Sequence, residues 1–228
     1  MDTTKQVPSL LATSIGRKIV MGITGLFLCT FLVAHLSGNL LLLKPLFDPN
    51  DGGKAFNEYA EFMSKSPLIR IPEIIMFLGF IIHIGLAAKL TSQNRMARPQ
   101  NYVFQANDGK TSIFSKYMGV TGSIILIFLL IHLYSFFVKH RIIGTEETMY
   151  DTVKTAFSNP IYVIFYVVAQ VLLVFHLNHG FQSGFQSLGF KTNPKWNSVI
   201  EKVGLWFSII IPLGFAIIPI IMYIQSIS

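Results

Sequence analysis

Five long apolar stretches run through the chain, at residues 19–43, 68–90, 117–138, 160–188 and 203–224. A hydrocarbon layer roughly 30 Å thick is crossed by about 20 apolar residues in a helix, and lipid offers no partner to a free backbone N–H or C=O. The expectation is an all-α integral membrane protein: one membrane domain over residues 1–228 with five transmembrane helices. Pro67 and Pro160 stand near helix starts, where a missing N–H costs nothing. Pro212 and Pro219 fall inside the fifth stretch and must be accommodated by neighbouring helices or water. The fourth stretch is longer than a bilayer requires, so Gln182, Gln186 and Ser187 at its end are expected to project into the interface. Composition agrees: 52% of residues are hydrophobic and 13% charged, against about a quarter charged in a soluble domain. The polar stretch 1–17 carries no signal-type cleavage site, so the first apolar run is expected to stay in the mature protein.

The formal net charge of +7 does not point to nucleic acid, because the basic residues lie in short loops between apolar runs. The N-terminus and the loops 89–116 and 191–202 together carry eleven Lys and Arg against three Asp and Glu. The loops 44–73 and 139–154 carry seven against eight. The excess of Lys and Arg marks the cytoplasmic side, which puts the N-terminus inside and the C-terminus outside. The one cysteine, Cys29, sits in an apolar run and supports no disulfide, thiolate metal site or covalent haem attachment.

A repeat underlies the helices. Helix one reads Thr24-Gly25 and then His35, and helix three Thr121-Gly122 and then His132, with ten residues from glycine to histidine in both. Helix two begins at Pro67 and reaches His83, and helix four begins at Pro160 and reaches His176, with sixteen residues in both. Two matched spacings in order suggest a tandem pair of helix hairpins related by an axis along the membrane normal. At 1.5 Å rise per residue, His35 and His132 lie about 24–25 Å from Lys18 and Lys116, towards the outer side. His83 and His176 lie about 24 Å from their prolines, towards the cytoplasmic side. Four histidines thus sort into two level pairs roughly 15 Å apart along the normal.

An ionisable side chain within a membrane span is costly and usually faces the interior for a purpose. A neutral histidine bonded to a nearby carbonyl explains any one of them, but not the level pairing of four. A proton relay calls for carboxylates in the span interiors, and there are none. Zinc or copper gathers its ligands at one depth. Haem iron, held axially by one imidazole from each side, fits two pairs. His179, three residues after His176, is an alternative ligand or a partner for a haem propionate, although the proline spacing favours His176. His140, between Lys139 and Arg141, reads as a solvated loop residue. Ser37, Asn39, Gln170 and Asn178 can line a cavity or bond between helices. Gly22, Gly25, Gly119 and Gly122 permit close helix approach or make room for a porphyrin. Arg17, Lys18, Lys89 and Lys116 either bind propionates at the inner rim or simply carry the charge bias.

The motifs GITGLFLCTFLVAHLSGN, EIIMFLGFIIHIG, VTGSIILIFLLIHLYSF and FHLNHGFQSGFQSLG resemble the dihaem cytochrome b membrane-anchor subunit of bacterial succinate dehydrogenase and fumarate reductase, in its single-chain, five-helix type. The resemblance runs from about Gly16 to the end of the chain. It implies that His35 and His132 hold a distal haem b and that His83 and His176 hold a proximal one, metal ligands to haem iron in both cases. It implies partners: a flavoprotein with FAD and an iron–sulfur protein docked on the cytoplasmic face, surrounding membrane lipid, and room for a homo-oligomer of the complex. It implies a non-dehydrogenase role within the tricarboxylic acid cycle or fumarate respiration, passing electrons to or from a quinone, menaquinone by analogy with dihaem single-anchor complexes. Glu73, Glu58 and Glu61 are the carboxylates expected near the distal haem to exchange quinol protons. Some members carry a glutamate two residues before the helix-four ligand, linked to proton movement; here that position is Val174. Two other readings stay open: a cytochrome b of another quinone-linked dehydrogenase, and a histidine-relay transporter.

Overall fold

The computed structural model describes residues 10–96 and 117–228. Lys5, Arg98, Lys110, Lys116, Asp2 and Asp108, all part of the N-terminal-side charge count, lie outside the described residues. Helix α1 (Ser14–Asn39) opens at Thr13, whose hydroxyl accepts the Gly16 N–H at 3.0 Å. It continues as a 3-10 segment, Leu40–Leu46. Pro45 lies in that segment and cannot donate the bond a further α-turn would need. Helix α2 (Lys54–Lys65) is short and amphipathic, and α3 (Pro67–Met96) crosses back. Helix α4 (Met118–His132) passes directly into a π-helical stretch, Leu133–Ile143. Helix α5 (Met149–Phe157) is capped by Thr148. Helix α6 (Pro160–Ser187) has Pro160 in its first turn and the Asn159 side chain accepting from Ile161 and Tyr162. Helix α7 (Pro194–Ile227) closes the chain.

Among the described residues, five helical runs are long and apolar enough to cross a membrane: Ser14–Leu46, Pro67–Met96, Met118–Ile143, Pro160–Ser187 and Pro194–Ile227. The fold is all-helical, as the apolar stretches predict. All runs but the fourth are longer than the stretches, most of all the fifth, which starts nine residues before the expected 203, while the π-helix carries the third five residues past 138. Polar turns such as Trp196–Glu201 join the helix because backbone bonding does not stop where hydrophobicity does.

Side-by-side contact runs α3–α1–α6–α4, with α3 and α4 touching only lightly, so α1 faces α4 and α3 faces α6 across the interior. Helix α7 lies along α6 and touches α1. Backbones come closest where Gly22 meets Gly184: a Cβ on Gly22 would stand 3.1 Å from the Gly184 carbonyl oxygen, the small-residue contact by which membrane helices associate. Helices α2 and α5 cap the end opposite the N-terminus. There Gly53, at φ +89°, passes directly beneath the Tyr150 ring, and the Tyr150 N–H donates to Asn57 Oδ1 at 2.9 Å. The tightest core sits under this cap, around Leu42, Phe56, Val153, Phe157, Ile218 and Met222. Pro212 and Pro219 are fully buried within α7's contacts.

Burial is uneven. In the most apolar windows of α1, α6 and α7, 22–28% of residues are buried, against 6% in α3 and none in α4. Helices α3 and α4 therefore turn one side outward, with Leu78, Ile127 and Leu130 exposed, and the other towards an internal space.

Candidate functional site

That space is a cavity of about 3890 Å³ running the length of the bundle, several times the roughly 300–1,000 Å³ of a small-molecule site. Two imidazole pairs cross it. His35 of α1 meets His132 of α4 with ring centroids 5.8 Å apart and planes at 85°. His83 of α3 meets His176 of α6 at 6.4 Å and 70°. The pairing is the one that rise per residue predicts, and each pair joins helices facing one another across the interior. Among the described residues no group of three or more His, Cys, Asp and Glu gathers to hold a metal ion; the four histidines meet as two separate pairs.

The repeat positions these rings. Glycine ten residues before the histidine of its own helix faces the imidazole of its hairpin partner: a Cβ on Gly25 would stand 3.3 Å from His83 Cε1, and one on Gly122 3.5 Å from His176 Cε1. Both glycines thus give an imidazole room to lie against a helix backbone. Of the other two, Gly22 serves α1–α6 contact and Gly119 faces Thr91. Aromatic rings wall the outer pair, with Phe31 stacked on His35 at 5.2 Å, Phe128 on His132 at 5.8 Å and Phe215 of α7 5.5 Å from His35.

Hydrogen bonding selects the tautomers. Thr24 Oγ1 lies 2.9 Å from the Val20 carbonyl and 3.1 Å from that of Met21, so its single proton is committed to the backbone. Towards His83 Nδ1, at 3.3 Å, it can only accept. His83 then carries its proton on Nδ1 and its lone pair on Nε2. The same logic runs along a second chain. Tyr162 donates to Ser135 Oγ at 2.8 Å, Tyr166 lies 3.3 Å from Tyr162 Oη, and His132 Nδ1 lies 3.2 Å from Tyr166 Oη. With every hydroxyl donating onward, His132 again holds Nδ1–H and leaves Nε2 bare. The Asn39 amide donates to the His35 carbonyl at 2.7 Å and lies 3.3 Å from His35 Nδ1. His176 Nδ1 and Gln170 Oε1 are buried on the cavity wall without a hydrogen-bond partner among the described residues.

His179 also lines the cavity, but it is the His176 ring that meets His83. Asn178 accepts from Gln182 at 3.0 Å and Ser37 donates to the Val33 carbonyl at 2.8 Å, so both are satisfied within their own helices. Lys18 lines the cavity, whereas Arg17 donates to the carbonyls of Leu11 and Ala12. Of the outer glutamates, Glu61 and Glu73 line the cavity and Glu58 does not. Glu73 accepts from Arg70 at 2.8 Å and lies 3.5 Å from Arg141. Glu61 is bound by Lys65 at 2.6 Å, which holds its carboxyl below the usual range. Glu58 stands 3.7 Å from Lys54 on the surface.

His140 corrects its sequence reading. It is not a solvated loop residue but part of the π-helix, half-buried on the cavity wall, with Nε2 2.9 Å from Thr152 Oγ1 of α5. The charged neighbours Lys139 and Arg141 imitate a loop in the sequence, yet the backbone stays helical through them. Tyr166 was also unmarked by sequence alone, though the repeat signals it: it precedes His176 by ten residues, as Glu73 precedes His83.

The profile of the succinate dehydrogenase/fumarate reductase transmembrane subunit family matches residues 91–211, just over half of the chain. The chain belongs to this family. It is thus a multi-pass membrane subunit of a succinate or fumarate oxidoreductase. The matched region takes in His132, Tyr166, His176 and His179; His35 and His83 precede it and are tied to it by the internal repeat. Among curated proteins and among solved structures nothing matches the chain.

Proposed function

We propose that this chain anchors a flavoprotein and an iron–sulfur subunit to a bacterial cytoplasmic membrane and carries electrons between them and a quinone through two b haems. His35 with His132 would hold one haem and His83 with His176 the other. The carrying observation is the two facing imidazole pairs at 5.8 and 6.4 Å. An iron bonded to one imidazole on each side, with bonds of about 2 Å and ring radii of about 1.1 Å, would need ring centroids about 6 Å apart. The residues fit the group in chemistry as well. A ligating histidine usually has Nδ1–H held by an oxygen and Nε2 free for metal, the state that Thr24 gives His83 and Tyr166 gives His132. The unpartnered His176 Nδ1 and Gln170 Oε1 give the wall further polar contacts for a bound macrocycle.

Each haem supplies a one-electron iron couple. The chain's own work is to orient both imidazole pairs, keep water from them with Phe31, Phe128 and Phe215, and bring a lipid-soluble quinone to the end opposite the N-terminus. The cytoplasmic placement of the N-terminus rests on the excess of Lys and Arg on that side. Menaquinone is the quinone that the resemblance favours.

The test is spectroscopic. The purified complex should show the reduced α-band of a bis-histidine b haem with two haems per chain, and His83→Ala should retain one, with the His35–His132 centre unchanged. A colourless wild-type complex, or two six-coordinate haems in His83→Ala, would overturn the reading. Co-purification of a flavin-bearing subunit separates it from other membrane cytochromes b.

A further inference from the structure

We infer that His140, held by Thr152 and Glu147, exchanges the protons of the quinone ring at the outer end of the cavity. The inference rests on the function proposed above and assigns it a residue that the sequence reading set aside. Glu147 Oε2 accepts from Lys139 at 3.1 Å and from the Thr152 hydroxyl at 3.1 Å, and these contacts, the Lys139 bond first, hold its carboxyl below the usual range. Glu147 is therefore an anion that only accepts. Thr152 has one proton and gives it to Glu147, so towards His140 Nε2, at 2.9 Å, it accepts. His140 carries its proton on Nε2 and its lone pair on Nδ1, on a ring that lines the cavity. This tautomer suits a base facing a substrate hydroxyl, braced from behind by a carboxylate through one hydroxyl.

The carboxylates are less suited. Glu73 is gripped by Arg70 and approached by Arg141, which also donates to the Ser64 carbonyl; Glu61 is tied to Lys65, and Glu58 lies off the cavity. The Lys65 bond holds the Glu61 carboxyl below the usual range, which makes it a poor carrier of a proton in transit. The charged groups around His140 are Lys139 and Arg141 on its own turn, Glu147 from the segment before α5, and Glu73 and Arg70 of α3 beyond Arg141.

The step balances as follows. A quinol becomes a quinone by losing two electrons and two protons. The electrons leave one at a time through the chain's redox centres to the iron–sulfur partner. Each hydroxyl proton passes to His140 Nδ1 and is released to outer water, on the side where Glu147 is about half exposed, before the second follows. Quinone reduction runs the same transfers backwards. His140 is the catalytic residue; Thr152 and Glu147 are positioning residues.

The experiment uses the assembled complex in liposomes, with His140→Gln, His140→Ala and Thr152→Val. Quinol-linked turnover, its pH profile, haem content and haem midpoints are measured on the same samples. General acid–base catalysis contributes about 10²–10⁴-fold, so His140→Gln should lose at least about a hundredfold in kcat with KM little changed. The acid limb of the pH profile should flatten, and added imidazole should restore part of the rate in His140→Ala. Dye-linked succinate oxidation by the soluble subunits and both haem midpoints should stay as in wild type. Thr152→Val keeps the base but frees it, and should lose roughly tenfold; it decides the matter if His140 variants fail to assemble. Wild-type turnover and pH profile in a haem-replete variant would overturn the inference. So would a loss that imidazole does not relieve, or one that accompanies a shifted midpoint. Absence of haem from wild type would instead sink the proposed function.

Discussion

Replacing Tyr166 by phenylalanine removes one hydroxyl and leaves the ring that touches Phe128, Phe136 and Phe157. In the wild type that hydroxyl accepts from His132 Nδ1 at 3.2 Å. An oxygen on Nδ1–H pulls the imidazole towards imidazolate and raises its basicity as a ligand, which favours the more highly charged, oxidised iron. Removing it should raise the midpoint of the haem that the proposed function assigns to His35 and His132. A hydrogen bond contributes about 0.5–1.5 kcal/mol net. One-electron potentials move about 59 mV per tenfold, or roughly 1.4 kcal/mol, so the shift should be roughly 20–60 mV upward. The second haem should not move, because Tyr166 neighbours the His132 ring and not those of His83 and His176. An optical redox titration of the assembled complex resolves the two centres. A downward shift, or an equal shift of both, would refute the tautomer argument, and with it the hydroxyl chain through Tyr162 and Ser135.

On the proposed function, Gly25→Leu should cost the complex the haem assigned to His83 and His176 while sparing the other, since even a Cβ there stands 3.3 Å from the His83 ring; haem per chain by pyridine haemochrome should fall from two to one, whereas Gly85→Ala, where a Cβ meets nothing within 4 Å, should keep two. The cap formed by α5 should tolerate mild acid. The bond from Lys139, then that from Thr152, depresses the Glu147 carboxyl. Its stabilising contribution is therefore present above the unfolded carboxylate value of about 4.3 and disappears only as pH falls through the lower folded value. Amide exchange over Met149–Phe157, corrected for intrinsic rates, should accelerate only below about pH 4; loosening that begins near neutrality would contradict it.

Much of this was legible before any coordinates. Spans were readable because lipid imposes one rule on every backbone group, and levels were readable because helix rise converts residue number into depth. That is how Lys18, Lys116, Pro67 and Pro160 led to the pairing of His35 with His132 and of His83 with His176 in which the rings meet. The caps were not legible. Helices α2 and α5 have 12 and 9 residues, too few for a strong periodic signal, and α2 depends on left-handed glycines at 52 and 53. His140 was misread because charge neighbours suggest solvent, whereas its partner Thr152 is twelve residues away and meets it only once α5 folds back. Tyr166 was missed because a tyrosine in an apolar run is ordinary until its opposite number is known.

Helix α7 leaves a lasting mark on the two halves of the chain. It seals the α1–α6 flank and sends Phe215 to the His35 ring, while among the described residues the α3–α4 flank receives no such neighbour. The two hairpins, alike in their spacings, therefore sit in unequal surroundings, and matched positions such as Glu73 and Tyr166 have unlike partners. A part exchanged between the halves would land among strangers: the two hairpins share a plan of spacings, while each answers to its own neighbours.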